Sequence, residues 1–314
     1  MYGVSASRTG YVYAVLAYAA WGAFPLYWRL MRPSSATEIL AQRIVWCFVL
    51  MVLVVAVART WRRLRESLRP RNLALVAAAS VLIAVNWGTY IYGVNADRVV
   101  ETSLGYFINP LVTVLLGVVV LRERLTLGQW VAIGVATVAV GVLTVDYGHV
   151  PVVALVLAVS FGLYGLTKSR LRVPAVDGLT LETAILALPA VGFLAILAAR
   201  DEMTLGEVSV AHTVITVTSG LVTSGPLLLF AGAVKRLPLS AIGLLQYLSP
   251  ILQLAVGVLI LHEPMPPARL VGFGLVWVAL MIFTWDGIHR MRAATRLANA
   301  DGSRAVAVTA TASR

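Results

Sequence analysis

The sequence predicts an all-α integral membrane protein with ten transmembrane helices, arranged as two inverted repeats of five helices each. Three observations lead to this prediction. The 314-residue chain is 60% hydrophobic and only 12% charged, with a mean hydropathy of +0.87, whereas soluble proteins are about 45–50% apolar and about 25% charged. Its charged residues are grouped, so that ten long windows are free of them. A set of residues also recurs at a constant offset of 140 positions.

The charge-free windows have the length of membrane-spanning helices. A helix needs about 20 predominantly apolar residues to cross the hydrocarbon core of a bilayer. The three shortest windows reach that length when charged residues such as Glu38, Arg43, Glu182 and Arg269 lie at or inside helix ends. Windows such as the stretch from Val131 to Val145 lack the alternation of transmembrane β-strands, so helices remain as the way to satisfy the backbone in lipid. The windows are 9–28, 44–58, 72–96, 102–121, 125–145, 147–167, 183–199, 208–234, 237–262 and 270–285.

The distribution of Lys and Arg predicts the orientation of these helices. Counted between successive windows, nineteen basic residues fall on one side of the membrane and five on the other, with Arg43 inside a helix. Because cytoplasmic loops carry the excess of basic residues, both termini are expected in the cytoplasm. This arrangement explains the net charge of +11, and binding to nucleic acid is not expected.

The repeat at an offset of 140 includes residue types that are rare in membrane helices. The pairs Pro110/Pro250, Glu123/Glu263 and Asp146/Asp286 carry more weight than the Leu and Ala pairs, which match by composition alone. The repeats are predicted to span 9–146 (helices 1–5) and 147–286 (helices 6–10). Because five is odd, the second repeat enters the membrane from the opposite face, as in many transporters. Residues 287–314, first basic and then rich in Ala, Thr and Ser, are expected to form a disordered cytoplasmic tail.

Polar residues inside the predicted spans mark candidate site positions. Amides at this depth are costly against lipid and should face protein or a water-filled cavity. A proline follows in both helix 4 and helix 9 and frees a backbone carbonyl about one turn earlier. Two interpretations stay open: the polar stripe on one face of each of these helices lines a substrate cavity, or it satisfies the kinked backbone and holds helices together. The stripes are Tyr106, Asn109 and Thr113 in helix 4, and Gln246, Ser249 and Gln253 in helix 9.

Helix 3 adds two further candidates, Asn86 and Tyr90. Asn86 lies in the middle of its span and therefore requires either a buried hydrogen bond or a contact with substrate. With the residues of helices 4 and 9, the predicted substrate-binding set is Asn86, Tyr90, Tyr106, Asn109, Gln246 and Ser249.

Charged residues inside the spans also require partners. Arg43 lies about one turn or more inside the membrane, where an unpaired charge costs about 2.5–3.5 kcal/mol. Its candidate partners are Glu38 and Glu101, a bound anionic group is the functional alternative, and snorkelling to the surface remains open. Glu182 is the counterpart of Glu38 in the second repeat. It either acts as a gate or proton carrier, or caps the N-terminus of its helix.

Several function classes lack their motifs. The sequence contains no G-x-x-x-x-G-K-[ST] phosphate loop, no H-E-x-x-H and no G-x-S-x-G. The four His residues show no metal-ligand spacing, and the single Cys47 cannot form an internal disulfide. We therefore expect no catalytic residues, no metal and no cofactor, and transport driven by an ion or substrate gradient is what remains.

Several short segments resemble a known family. Glu38-Ile39-Leu40 with Arg43, Asn86-Trp87, Val94-Asn95 and the run S-L-G-Y-F-I-N-P-L at 103–111 resemble the RarD group of EamA-type transporters, in the drug/metabolite transporter superfamily. The resemblance covers helices 1–10. It implies a bacterial inner-membrane protein with two inverted EamA repeats, associated with export of amino acids, metabolites or drugs. Members of the group have His where this chain has Gln42, so a proton-carrying role at that position is not expected.

The predicted function is that of a secondary transporter, an exporter of small metabolites or drugs that works by alternating access. Arg43 and Glu38 are assigned to the outer gate, Glu182 to the inner gate, and Glu101 to an ion pair. The expected partners are a small-molecule substrate and the lipid bilayer, and a homodimer is left open. The alternatives are a membrane channel and a membrane enzyme or scaffold that transports nothing.

Overall fold

The computed structural model describes residues 8–122, 125–171 and 173–312, and within these ranges the chain forms helices and no β-strand. The predicted all-α class is therefore confirmed for the described part of the chain. The helices are α1 (Arg8–Arg29), α2 (Ala36–Val57), α3 (Trp61–Ser67), α4 (Pro70–Asn95), α5 (Val99–Leu121), α6 (Leu127–Tyr147), α7 (Val152–Arg170), α8 (Ala175–Ala199), α9 (Val210–Val234), α10 (Leu239–Leu245), α11 (Leu248–Ala255), a π-helix (Val256–Ile260) and α12 (Pro267–Ala312).

Nine stretches of the described chain are long and apolar enough to cross a membrane. The helix of the first predicted span, α1, is not among them, because its Tyr, Trp, Gly and Pro residues lower its mean hydropathy. One of the nine, Ala241–Ile260, combines most of α10 with α11 and the π-helix. The chain is thus a multi-pass membrane protein, and the count of ten spans stays a prediction.

Side chains at the helix starts explain several of the boundaries. The Ser35 hydroxyl accepts a hydrogen bond from the backbone N–H of Glu38 and so caps α2. Thr126 and Gln129 form a reciprocal capping box at the start of α6. Ser209 accepts from the backbone N–H of His212 at the start of α9. Each cap satisfies an N–H that has no partner inside the helix.

Helix α12 differs from the sequence-based expectation at its C-terminal end. The sequence analysis expects a disordered tail from residue 287, whereas α12 continues to Ala312. Between 287 and 312 the chain has no Pro and is rich in Ala and Arg, which are strong helix formers. Composition thus favours helix here, even though this part of the chain is polar.

The two predicted proline kinks also differ from each other. Pro110 lies inside α5, which runs without a break. Pro250 lies just after the break between α10 and α11, where the backbone N–H of Ser249 reaches the carbonyl of Gln246 at 3.4 Å. A proline clashes with the carbonyl four residues earlier, here that of Gln246, and the chain departs from regular helix at that point.

The described chain divides into two compact units, the first within Met1–Thr113 and Pro151–Met265. In this unit, helices from the first half of the sequence pack on helices from the second half. α2 packs on α8 and α9, α1 packs on α9 and α11, and α4 packs on α7 and α8. Its buried core includes Trp28, Ile39, Ile91 and Leu157. All the predicted site residues lie in this unit.

The second unit lies within Val114–Val150 and Pro266–Arg314, where α6 packs on α12. Polar contacts hold the pair at both ends of α6. The Thr126 hydroxyl donates to Asp286 at 2.8 Å, and Arg269 Nε donates to Asp146 at 2.8 Å. Because the start of α12 contacts the end of α6, and the start of α6 contacts Asp286 further along α12, the two helices are antiparallel.

Candidate functional site

Arg43, the eighth residue of α2, is enclosed by aromatic rings. Only 4% of the surface of Arg43 is exposed. The guanidinium carbon lies 4.0 Å from the centre of the Trp87 ring, 4.8 Å from that of Trp28 and 5.6 Å from that of Phe24. These rings come from α1 and α4, so Arg43 lies where three helices of the first unit meet.

Two tyrosines complete this enclosure. Tyr90 packs in the same buried cluster as Phe24 and Trp28, and Tyr106 packs against that cluster. The ring centres of the two tyrosines are 5.8 Å apart. Tyr90 is buried, while Tyr106 is partly exposed and contacts the edge of Phe161 on α7. We call the residues Phe24, Trp28, Arg43, Trp87, Tyr90 and Tyr106 the arginine cage.

The cage contains polar atoms that the described residues leave without hydrogen-bond partners. These are Arg43 Nε, Trp28 Nε1 and the Tyr90 hydroxyl. Buried polar groups in proteins are normally paired, so unpaired donors at one place require an explanation.

Asn86, beside the cage, makes the buried hydrogen bonds that its mid-span position requires. Its amide nitrogen donates to the carbonyl of Leu157 and to the Ser160 hydroxyl, both at 3.1 Å on α7. Its amide oxygen accepts from the Tyr106 hydroxyl at 3.5 Å, the long limit of a hydrogen bond. Asn86 therefore ties α4 to α7 and orients a cage tyrosine.

The other predicted binding residues lie in different surroundings. Asn109 is half-buried and accepts a hydrogen bond from Thr113 on its own helix at 3.1 Å. Gln246 is exposed at the end of α10. The structure thus brings Asn86, Tyr90 and Tyr106 together near Arg43, and it leaves the Gln246 side chain at the surface.

Ser249 belongs to a contact between α11 and α1. It is buried and lies 3.4 Å from the amide nitrogen of Gln253. The same nitrogen donates to the carbonyl of Trp21 at 3.1 Å. For Ser249 and Gln253, these contacts agree with the interpretation that the polar residues of predicted helix 9 hold helices together.

Glu38, expected as a partner of Arg43, is instead bound to a loop. The residue is 2% exposed, and its carboxylate accepts from the backbone N–H of Thr204 at 2.8 Å and from the Thr204 hydroxyl at 2.9 Å. The Thr204 hydroxyl lies 2.6 Å from that of Ser34, which lies 3.0 Å from His212 Nε2. We call Ser34, Glu38, Thr204 and His212 the first-end network.

Glu101, the second expected partner of Arg43, also has other contacts. Its carboxylate accepts from the backbone N–H of Val153 at 3.0 Å and lies 3.9 Å from Arg98. In the described chain, no carboxylate forms an ion pair with Arg43. The proposed pairing is thus corrected: Glu38 and Glu101 stabilise backbone N–H groups at helix starts and loops, where a carboxylate is favoured.

Glu182 lies in a buried ion pair and is not a helix cap. It is the eighth residue of α8 and is fully buried. Its carboxylate accepts from Lys168 Nζ at 2.6 Å and from the Tyr164 hydroxyl at 3.0 Å, both on α7. The capping alternative is therefore wrong, and Glu182 connects α7 with α8.

A second buried carboxylate on α8 was not anticipated from the sequence. Asp177 is fully buried and accepts two hydrogen bonds from Arg63 on α3, at 2.7 and 2.8 Å. These bonds raise the pKa of the Arg63 guanidinium. Together, Arg63, Tyr164, Lys168, Asp177 and Glu182 form what we call the second-end network. Its partners are 14 and 114 residues apart in sequence, so no local motif reveals them.

Glu263 caps a helix other than its own. Its carboxylate accepts from the backbone N–H groups of Val99 at 2.6 Å and Val100 at 2.8 Å, at the start of α5. Burial raises the pKa of this carboxyl, and the two N–H bonds oppose that shift. Its repeat counterpart, Glu123, lies outside the described residues.

Two grooves on the described surface are lined by no residue of the arginine cage. Both run between α4 and α7, with volumes of about 340 and 360 Å³. Their lining is mostly apolar, with Val85, Val156 and Leu163 among its residues. We do not assign them to the polar site. Among the described residues, no group of three His, Cys, Asp or Glu side chains is placed to hold a metal ion.

Comparison with known proteins gives matches over most of the chain. Residues 8–145 and 150–285 each match the EamA-like transporter family. A protein of Streptomyces exfoliatus named RarD is 50% identical over 286 residues, covering 91% of both chains. An uncharacterised transporter of Bacillus subtilis, YojE, is 40% identical and covers 91% of this chain and 97% of its own. Escherichia coli RarD is 37% identical over 91% of this chain and 97% of its own.

A solved structure, titled only as a crystal structure of a protein, has a similar fold. It superposes with a TM-score of 0.56 over 90% of this chain and 99% of its own, at 19% sequence identity. At that identity the similarity concerns the fold alone.

Proposed function

The chain belongs to the EamA-like transporter family and is a membrane transporter, and from this premise we propose that it is a secondary transporter that exports small metabolites or drugs. In this proposal the solute binds at the arginine cage, and the protein exposes that site alternately to the two sides of a bacterial inner membrane. Both termini lie in the cytoplasm, in keeping with the distribution of Lys and Arg.

The observation that carries this proposal is a buried cationic site between two polar networks. The first-end network includes Glu38 near the start of α2, whereas Arg63 of the second-end network lies just beyond the end of α2. α2 has 22 residues and is therefore about 33 Å long. Alternating access needs a site between two closures that open in turn, and the two networks suit those closures.

Three further observations support an inverted repeat. The family match occurs twice, once in each half of the chain. The counterparts α6 and α12 are antiparallel, as inverted copies would be. Arg122 and His262, which are 140 positions apart, both have left-handed backbones, with φ of 56° and 57°, after helices in corresponding positions.

We expect solute counterflow by the purified protein in liposomes. Liposomes are loaded with unlabelled leucine, phenylalanine, phenylacetate or chloramphenicol, and uptake of the same labelled compound is measured. For at least one of these probes, uptake should saturate and should rise when unlabelled compound is present inside. Liposomes without protein provide the baseline. Flux that does not saturate and does not depend on the internal solute would identify a channel. Absence of exchange with every probe would favour an enzyme or scaffold.

The same assay tests the predicted binding set. Asn109→Leu combined with Gln246→Met should leave flux largely intact, because Gln246 is exposed and Asn109 bonds to Thr113 on its own helix, outside the arginine cage. Loss of flux in a variant that still elutes as a folded species in size-exclusion chromatography would instead place these residues on the substrate path. Retained flux would reject the assignment of these two residues to the substrate path. Tyr106→Phe removes the cage hydroxyl that meets Asn86, so it should reduce flux more than the double variant.

A further inference from the structure

We propose that Arg43 binds a carboxylate of the transported solute, so that the substrates are organic acids with one negative charge and an apolar body. This inference rests on the proposed function and names its substrate class. It also changes the role of Arg43 from a gate residue to a binding residue.

The charge of Arg43 lacks a counter-ion in the described protein. The ion pairs of the described chain use other cations, namely Arg29, Arg32, Arg62, Arg63, Arg98, Lys168 and Arg269. Removing a charge from water without a partner is strongly unfavourable, and buried charges in membrane proteins commonly mark substrate or ion paths. A bound anion would supply the partner that Arg43 lacks.

The aromatic rings leave the hydrogen-bonding edge of Arg43 available. Cation–π attraction acts on the face of the guanidinium, over the rings of Trp87 and Trp28. The five N–H donors lie in the guanidinium plane, and the edge matches the two oxygens of a carboxylate. Because Arg43 Nε has no partner among the described residues, the geometry favours a planar acceptor with two oxygens.

The neighbouring unpaired groups are donors as well. Trp28 Nε1 can only donate, and the Tyr90 hydroxyl can donate. Donors gathered around a cation select an anion and disfavour a cationic solute. The rings of Phe24, Trp28 and Trp87 would meanwhile contact an apolar body.

The charge of the cage favours a single negative charge. Arg43 is its one cation, so a phosphate dianion would bring an uncompensated charge into a buried site. A free ammonium group would need an acceptor, yet Glu38 and Glu101 already accept from backbone N–H groups. The preferred solutes are therefore acids without a free ammonium group.

Matched acids and amides test this inference on the unaltered protein. The melting temperature of the full chain in detergent is measured with phenylacetate and phenylacetamide, and with N-acetyl-L-phenylalanine and its amide. An acid at about 100-fold above its Kd should raise the melting temperature by roughly 5 °C, and its amide should not. Equal shifts for acid and amide would overturn the proposal, and so would a shift with inorganic phosphate alone.

Variants of Arg43 test the residue itself. Arg43→Met should weaken acid binding by at least roughly tenfold. Arg43→Lys keeps the positive charge but lacks the paired N–H donors of the guanidinium, and it should have a smaller effect. The control is Arg236→Met, which removes an exposed arginine 5.4 Å from the Tyr13 ring and should leave acid binding unchanged. The proposal would be overturned if a folded Arg43→Met or Arg43→Lys variant bound the acids as tightly as the Arg236→Met control does. If Arg43→Met does not fold, the Lys variant and the unaltered protein still decide.

Counterflow separates this inference from the proposed function. If an acid binds through Arg43 but is not exchanged across the liposome membrane, the result supports the proposed binding site and rejects transport. Equal binding of acids and amides, together with saturable exchange of chloramphenicol, would reject the site and retain the transporter.

Discussion

Gly220→Ala should prevent the protein from accumulating in a folded state. Gly220 on α9 lies directly against the backbone of α2: a Cβ there would overlap the carbonyl group of Trp46 and come within 2.9 Å of the backbone nitrogen of Cys47. Backbone atoms cannot rotate away as a side chain can, so the two helices would have to separate. We expect a cost of about 3 kcal/mol in folding free energy.

The same helix offers a matched control, Gly225. A Cβ at Gly225 would meet nothing within 4 Å. Gly225→Ala should therefore be neutral or stabilise α9 by about 0.5–1 kcal/mol, because Ala is the better helix former. The yield of monodisperse protein and its melting temperature in detergent measure both variants. Similar behaviour of the two variants would contradict the close packing of α2 on α9.

Lys168→Met should destabilise the protein far more than Glu182→Gln. Lys168→Met leaves the Glu182 carboxylate charged, fully buried and without its cation, which costs about 3–5 kcal/mol. Glu182→Gln leaves a lysine whose side chain is 23% exposed, at the end of α7, and its ammonium can turn toward water. We expect a loss of about 1–2 kcal/mol for that variant.

The double variant supplies the test of this asymmetry. Lys168→Met combined with Glu182→Gln removes the buried charge and should recover most of the stability that Lys168→Met loses. Melting temperatures of all three variants complete the cycle. Equal losses in the two single variants, or a double variant that simply adds them, would contradict a buried ion pair between α7 and α8.

The helical architecture could be predicted from the sequence because it depends on local patterns. Long charge-free windows predicted the spans, and most helix bounds lie within a few residues of those windows. The exceptions arise where local signals compete. Helices α2 and α8 begin eight residues before their windows because charged residues such as Glu38 and Glu182 lie inside them, and the Ala and Arg residues after 287 favour helix in a polar segment.

The candidate site was only partly predictable. Polarity at mid-span identified Asn86 and Arg43, and both lie at or beside the cage. The carboxylate partners were not predictable, because Glu38 meets Thr204 over a separation of 166 residues and Asp177 meets Arg63 over 114. Such contacts depend on how helices pack, and the sequence pattern of one helix does not encode its neighbour.

The central claim, alternating access to one buried site, is tested most directly by closing one end and probing the site from each side. The probe is Tyr106→Cys, at a partly exposed position of the arginine cage, in a Cys47→Ser background, labelled with a membrane-impermeant maleimide applied to either side of sealed vesicles. Ser34→Cys with Thr204→Cys then closes the first end by a disulfide, since the two hydroxyl oxygens are 2.6 Å apart. The variants with only one of these two cysteines are the controls under the same oxidant.

We expect labelling of Cys at position 106 from both sides before oxidation. After the disulfide forms, labelling from the first end should stop, labelling from the other side should increase, and reduction should reverse both effects. Labelling from the other side that stays unchanged when the first end is closed would contradict alternating access.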